Sequence, residues 1–367
     1  MWRKKHIKFL TGLDFDKELL INTLKNYDEK NLESEDKSIL KNILMNFERD
    51  DFSLLTTQEI QFLQKNPKED WLPYLIHRHK FMFYENNPEK PDFPLYLILE
   101  PVSICNLRCP FCHQVDEKLT KNKSMMGMMD VALFKKIIDE AHECGTKAIT
   151  LTCRGEPTLH PHLGEMLEYC KGKFIEFKMN TNATKLTEKL IHQILKSDLS
   201  DIVFSVDSYY KEEFESLRVG ANFEEVVNNI KKFKEIKEEF YPNSRCITRV
   251  SGVHVSDKQD PEKFKEFWQP YVDFVVMVRM LPKWNIYTNS KDEMRDAPCH
   301  YLGRSLSIYF DGSVNPCDMD YLGKLSFGSL KEMTIQDIWN SKKHQELFLA
   351  HRNGKRDLYN PCDRCPA

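Results

Sequence analysis

The 367-residue chain carries 53 lysines and arginines against 56 aspartates and glutamates, a formal charge of −3. That balance excludes a strongly basic nucleic-acid binder and gives no electrostatic case for an anionic membrane surface. Apolar residues make up 41%, charged ones 30% and aromatics 11%, too polar for a membrane protein and too aromatic for a disordered one. The length predicts two to three domains. No apolar stretch long enough for a signal-peptide core follows Met1 to Lys8, so a cytoplasmic location is expected. The 11 cysteines are then expected to be metal ligands, catalytic thiols or small buried side chains rather than disulfides.

Residues 1–90 read as a helical N-terminal extension. Leu40, Ile43, Leu44 and Phe47 keep helical spacing, and Thr56 with Glu59 forms a capping box ahead of Ile60 to Leu63. Prolines 88, 91 and 94 break the pattern and set the first boundary. Over residues 91–285, short apolar runs (Leu95 to Leu99, Lys147 to Thr152, Phe174 to Met179, Ile202 to Val206, Cys246 to Val253, Phe274 to Met280) alternate with amphipathic segments such as Val131 to Ala141 and Phe223 to Phe240. Six strands in βαβ alternation imply an α/β parallel sheet, open or curled into a partial barrel, with functional loops at the strands' C-terminal ends. Residues 286–367 read as a small module: a hairpin over Ser305 to Pro316 turning at Asp311-Gly312, then a helix from Ile335 to Ala350.

Cys105, Cys109 and Cys112 project from one loop after the first strand with spacing CxxxCxxC. Three thiolates are one short of closing an iron–sulfur cluster or a structural zinc, which leaves a metal vertex open. A zinc knuckle borrowing His113 is the alternative. The loop, with Asn106 and Phe111, resembles the signature of the radical S-adenosylmethionine (SAM) superfamily. The resemblance implies a partial (β/α)6 TIM-type barrel and a [4Fe-4S] cluster on the three cysteines, whose fourth iron binds SAM. One-electron reduction would then give a 5′-deoxyadenosyl radical, and a flavodoxin- or ferredoxin-type reductant is implied. It also places Phe111 near the adenine, Gly155 and Glu156 at the SAM ammonium, and Asn180, Asn182, Ser205 and Asp207 at the ribose and methionine. Arg154 stands where the family has a glycine and is expected to meet a carboxylate of SAM or substrate, as is Arg249 on the fifth strand. Cys153, at the end of the second strand, is a candidate hydrogen-atom donor or a packing residue. Arg279, on an apolar strand, is a candidate substrate contact if it faces the barrel mouth, or a structural arginine.

Cys299, Cys317, Cys362 and Cys365 supply four thiols, enough to close a second cluster or a zinc ribbon. Their spacing resembles the SPASM/twitch modules of radical SAM enzymes, in the short form with one auxiliary [4Fe-4S] cluster, and in particular the branch that oxidises an amino-cyclitol alcohol. The combined expectation is a radical SAM oxidoreductase acting on a sugar or cyclitol, with the auxiliary cluster taking an electron, no nucleic acid and no membrane. The rivals are a peptide-modifying maturase or epimerase, with Cys153 or Cys246 as hydrogen donor, and a zinc-stabilised binding protein.

Overall fold

The computed structural model describes residues 15–85, 87–281, 285–291, 294 and 297–366, so residues 1–14 of the expected extension lie outside the described residues. Its contacts divide the chain into two units, Met1–Phe83 and Tyr84–Ala367.

The first unit contains α1 (Lys17–Lys25), α2 (Ser34–Glu48), α3 (Thr57–Lys65) and α4 (Trp71–Phe83). Asp16 caps α1 by accepting the Leu19 N–H at 2.8 Å. The apolar stripe of α2 buries Ile39, Leu40, Ile43 and Phe47. The capping box of α3 forms as its sequence requires, with the Thr56 N–H donating to Glu59 Oε2 at 2.9 Å. The same carboxylate takes the buried Arg78 guanidinium at 2.7 Å, which fastens α3 to α4.

The second unit begins with β1 (Tyr96–Leu99), α5 (Glu117–Thr120), α6 (Val131–Glu143), β2 (Ala148–Leu151), α7 (Leu163–Cys170), β3 (Glu176–Thr181), α8 (Glu188–Lys196) and β4 (Asp201–Ser205). It continues through α9 (Lys211–Leu217), α10 (Phe223–Phe240), β5 (Ile247–His254), α11 (Pro261–Trp268) and β6 (Phe274–Arg279). Then come β7 (Ser305–Ile308), β8 (Ser313–Asn315), β9 (Gly328–Ser329), α12 (Ile335–Trp339) and α13 (Lys342–Arg352). One sheet holds all nine strands in the order β6-β5-β4-β3-β2-β1-β7-β8-β9. Strands β1 to β6 pair in parallel and, with their helices, make the α/β partial barrel of TIM type.

Alternation along the strands sorts the side chains. Leu97, Leu99, Ile149, Leu151, Phe177, Met179, Ile202, Phe204 and Val250 enter one core with the helix residues Phe134, Ile138, Ile191, Ile194, Ile230 and Phe233. The alternate positions, among them Tyr96, Thr150, Lys178, Asn180, Asp201, Ser205 and Arg249, take the opposite, inner face.

Two features differ from the sequence-based expectation. The hairpin β7–β8 turns at Gly312 (φ +84°) as anticipated, but it does not stand apart: β7 pairs in parallel with β1 and extends the barrel sheet. The expected single helix from Ile335 to Ala350 is two. Ser341 caps α13 by accepting the His344 N–H at 3.3 Å, and this alternative hydrogen bond interrupts an otherwise continuous apolar pattern.

Candidate functional site

The loop after β1 is held at both ends by backbone and side-chain bonds. Ser103 donates its N–H to the Gly127 carbonyl at 3.0 Å and accepts the Gly127 N–H on Oγ at 2.7 Å. The Glu156 N–H reaches the Ile104 carbonyl at 3.0 Å, and the Arg108 N–H reaches the Val219 carbonyl at 2.9 Å. Gly155 lies so close to this loop that a Cβ there would stand 2.2 Å from the Val102 carbonyl oxygen, so only glycine fits. Asn106 donates to Thr184 Oγ1 at 2.9 Å and accepts from Asn182 Nδ2 at 3.0 Å.

Within this frame Cys109 is buried, while Cys105 and Cys112 are half-buried. Cys105 Sγ receives the Leu107 N–H at 3.4 Å and lies 3.9 Å from Asn182 Nδ2. Burial pushes the Cys105 thiol up to about 12. Burial likewise pushes Cys109 up to about 11, against the opposing pull of Arg218, whose Nη1 is 3.9 Å from Sγ. Such thiols stay protonated at neutral pH unless a metal displaces the proton.

Glu156 is buried beside the loop. Its Oε1 accepts from Thr158 N (3.1 Å), Thr158 Oγ1 (2.7 Å) and Thr181 Oγ1 (2.7 Å). Its Oε2 accepts the Asn182 N–H at 2.7 Å. Burial raises its pKa against these four bonds. Asn182 therefore links the glutamate to the cysteine loop. Asn180 and Ser205 are half-buried on the inner face of β3 and β4, directed to the same side of the sheet.

Three expectations need correction. Arg154 does not present its guanidinium to a ligand: Nε and Nη2 grip Glu100 at 2.7 and 2.6 Å, Nη1 bonds the Tyr321 carbonyl at 3.0 Å, and the group lies 3.7 Å from the centroid of the Tyr309 ring. A carboxylate placed across β1 and β2 has taken it first. Asp207 is spent in the same way: one oxygen accepts Arg218 Nε and the other the Val253 N–H at 2.8 Å. Arg279 ends β6 exposed, and alternation puts it with Val275 and Met277 on the helix-facing side, away from the inner face.

Arg249 is on the inner face, 3.4 Å from Asp201. Cys153 is half-buried with φ +99°, a left-handed conformation that a non-glycine residue rarely adopts. The Phe111 ring centroid lies 5.7 Å from the Arg218 guanidinium.

Arg218 is the residue that sequence reasoning missed. It is anchored by Asp207 and faces Cys109 and Phe111. Two positions later, Gly220 has a left-handed backbone (φ +98°), and a Cβ there would stand 3.3 Å from the Asn106 carbonyl oxygen. An arginine just before a glycine between two helices was the signal.

The second thiol set gathers near the end of the chain. Cys299, Cys362 and Cys365 all act electrostatically on Cys317, whose thiol burial raises well above the ordinary value, as it does that of Cys362. Among the described residues no three ligating side chains converge tightly enough to hold a single metal ion. Cys365 shares a small core with Leu119, Tyr287 and Tyr321. The His113 ring, next to Cys112, stacks on Tyr321 with centroids 5.3 Å apart, so both thiol sets rest on one aromatic packing.

Comparison with known proteins agrees with this geometry. The radical SAM superfamily pattern matches residues 99–267 and the SPASM iron–sulfur cluster-binding domain matches residues 299–366. The chain is 25% identical over 323 residues to the tungsten-containing aldehyde ferredoxin oxidoreductase cofactor-modifying protein of Pyrococcus furiosus, covering 74% of this chain and 86% of that one. It is 24% identical to the antilisterial bacteriocin subtilosin biosynthesis protein AlbA of Bacillus subtilis, covering 70% of this chain but 62% of AlbA. The fold matches that of BtrN in complex with AdoMet and 2-DOIA (TM-score 0.52, 17% identity, 76% of this chain and 94% of BtrN). It also matches Streptococcus suis SuiB bound to the precursor peptide SuiA (TM-score 0.53, 17% identity, 98% of this chain and 89% of SuiB). Among the described residues no helix is long and apolar enough to cross a membrane. The two domains imply a SAM-binding [4Fe-4S] cluster and an auxiliary iron–sulfur cluster. The chain carries a radical SAM domain over residues 99–267 followed by a SPASM domain over residues 299–366, the two-domain order of SPASM-type radical SAM enzymes.

Proposed function

We propose that the protein oxidises an alcohol carbon of a small hydrophilic molecule, a sugar or cyclitol, by two electrons. Cys105, Cys109 and Cys112 hold the SAM-binding cluster, and Cys299, Cys317, Cys362 and Cys365 hold a single auxiliary [4Fe-4S] cluster of the twitch kind. When bound, the cluster and SAM would supply the 5′-deoxyadenosyl radical chemistry that removes a hydrogen atom from carbon, the auxiliary cluster would accept the second electron, and the hydroxyl proton would pass to water.

The chain's own residues position these groups. Glu156 Oε2 accepts the Asn182 N–H, and its second lone pair suits the SAM ammonium. Arg218, fixed by Asp207, offers a cation to the SAM carboxylate. Phe111 suits the adenine, and Asn180 and Ser205 suit the ribose. A flavodoxin- or ferredoxin-type protein is the proposed reductant.

The observation that carries the substrate class is the inner face of the sheet. Barrel interiors are ordinarily filled with branched apolar side chains. Here Asn180 and Ser205 line the inner face toward the C-terminal strand ends, and nearer the strand starts Lys178 bonds Glu176 at 2.8 Å, Arg249 lies 3.4 Å from Asp201, and the Tyr96 hydroxyl donates to Thr150 at 2.6 Å. Lys178 and Arg249 keep side-chain exposures of 19% and 28%, so their ion pairs remain reachable. Such a wall can exchange hydrogen bonds with hydroxyl groups at little desolvation cost and rejects an apolar guest.

A second reading, modification of a peptide, draws support from one observation: the structural likeness to SuiB spans 98% of this chain, N-terminal helices included, whereas that to BtrN spans 76%. In an epimerase Cys153 would be the hydrogen donor. Anaerobic 5′-deoxyadenosine formation, measured with small-metabolite and peptide fractions supplied separately, decides between the two. Stimulation by small metabolites, with a product two mass units lighter, is expected; stimulation by peptides alone would replace alcohol oxidation with the peptide reading.

A further inference from the structure

The last segment of the chain contains a buried cation that the proposed reaction does not use. Arg356 is 4% exposed and opens a single helical turn, Arg356–Leu358, six residues before Cys362. Its guanidinium donates in three directions. Nη1 bonds the Ala297 carbonyl at 2.7 Å, Nε the Cys362 carbonyl at 3.2 Å and Nη2 the Cys365 carbonyl at 3.1 Å. One planar group therefore ties together both cysteines of the terminal CxxC and the strand of chain two residues before Cys299. A buried histidine completes the clamp, because the Cys299 N–H donates to His351 Nδ1 at 3.3 Å.

The charge environment is mixed but close. The Arg356 charge acts directly on the Cys362 thiol, Arg352 is influenced by Cys299, and the carboxylates Asp318 and Asp320 act on Cys317 and Cys362. A cluster ligated by four thiolates is a buried anion, and its net charge and surrounding hydrogen bonds set how readily it is reduced. A fixed fork of donors is what arginine supplies and lysine cannot.

We infer that Arg356 is a positioning residue for the auxiliary cluster: it fixes the backbones of Cys362 and Cys365 before iron arrives and places a buried positive charge beside the four thiolates. The inference rests on the reading that these cysteines hold the auxiliary cluster. Arg356→Lys keeps the charge and loses the fork, whereas Arg356→Gln loses the charge and most of the fork. The test uses the full-length, anaerobically reconstituted protein, reading iron content, loss of iron to a chelator, and the midpoint potential of the auxiliary signal by electron paramagnetic resonance (EPR).

The wild type is expected to hold about eight irons. Arg356→Lys is expected to fold, to lose the auxiliary four irons to chelator at least several-fold faster than wild type, and to keep the wild-type potential. Arg356→Gln is expected either to load only the SAM-binding cluster or, where the second cluster is retained, to make its reduction about tenfold less favourable, a shift of about 59 mV for one electron. Wild-type chelator sensitivity in Arg356→Lys together with wild-type loading and potential in Arg356→Gln would overturn the inference. A wild type with only about four irons would instead overturn the underlying cluster assignment, so the two failures are distinguishable.

Discussion

The two thiol sets solve opposite problems with the same side chain. The loop at Cys105, Cys109 and Cys112 leaves two of its three thiols half-buried and borders side chains that can address a ligand: Glu156, Asn182 and Arg218. The terminal set has four thiols, one of them (Cys365) buried and three half-buried, so exposure alone does not separate the two sets; what separates them is that its neighbours bond to backbone, Arg356 to three carbonyls and His351 to an amide. Donors aimed at side chains and at space make a site that receives a molecule, while donors aimed at backbone make a site that holds a fixed body. The difference supports substrate chemistry at the first set and electron storage at the second.

Removing one thiol from each set breaks the comparison most severely. Cys109→Ala is expected to abolish 5′-deoxyadenosine formation and to lower the iron content by about four per chain. Cys365→Ala is expected to lower iron by the same amount but to retain 5′-deoxyadenosine formation while losing the oxidised product. Equal loss of 5′-deoxyadenosine in both variants would erase the distinction.

The buried partners sharpen it further. Glu100→Gln leaves the Arg154 guanidinium without its counter-charge inside the protein and is expected to cost about 3–5 kcal/mol of stability by chemical denaturation. SAM affinity in the folded fraction should hold. Arg218→Met should weaken SAM binding by about 2 kcal/mol, the scale of a hydrogen bond to a charged group, as read by equilibrium binding under anaerobic conditions. These two arginines are thus expected to respond oppositely, one in stability and one in affinity.

The smallest effect concerns protons. Burial holds His344 down at about 3, below its unfolded value near 6.5, so it folds neutral. Its contribution to stability is full above pH 6.5 and is lost as pH falls toward 3. Lowering the pH from 6.5 to 5.5 should cost about 1 kcal/mol in denaturation experiments, and His344→Gln should remove that part of the slope.

Much of this was legible in the sequence. The six apolar runs predicted β1 to β6, and the cysteine spacings singled out both thiol sets, because strand burial and ligand spacing are local properties. The misses are non-local. Arg154 reads as a ligand contact until the register brings Glu100 beside it, 54 residues away in sequence. Arg218 and Cys109 are separated by 109 residues, and no periodicity relates them. The addition of β7 to the edge at β1 depends on which strand edge is open, which hydrophobic pattern does not encode. Arg279 shows the converse limit, since a strand's alternation fixes its face only when the register of neighbouring strands is known.

The central claim is that one thiol set is open to SAM and the other closed. Its most direct test is the EPR spectrum of the anaerobically reduced protein before and after SAM is added. Two cluster signals are predicted, of which SAM shifts one and leaves the other unchanged, with the shifted signal lost in Cys109→Ala and the unshifted signal lost in Cys365→Ala. A spectrum in which SAM moves both signals, or neither, would contradict the account.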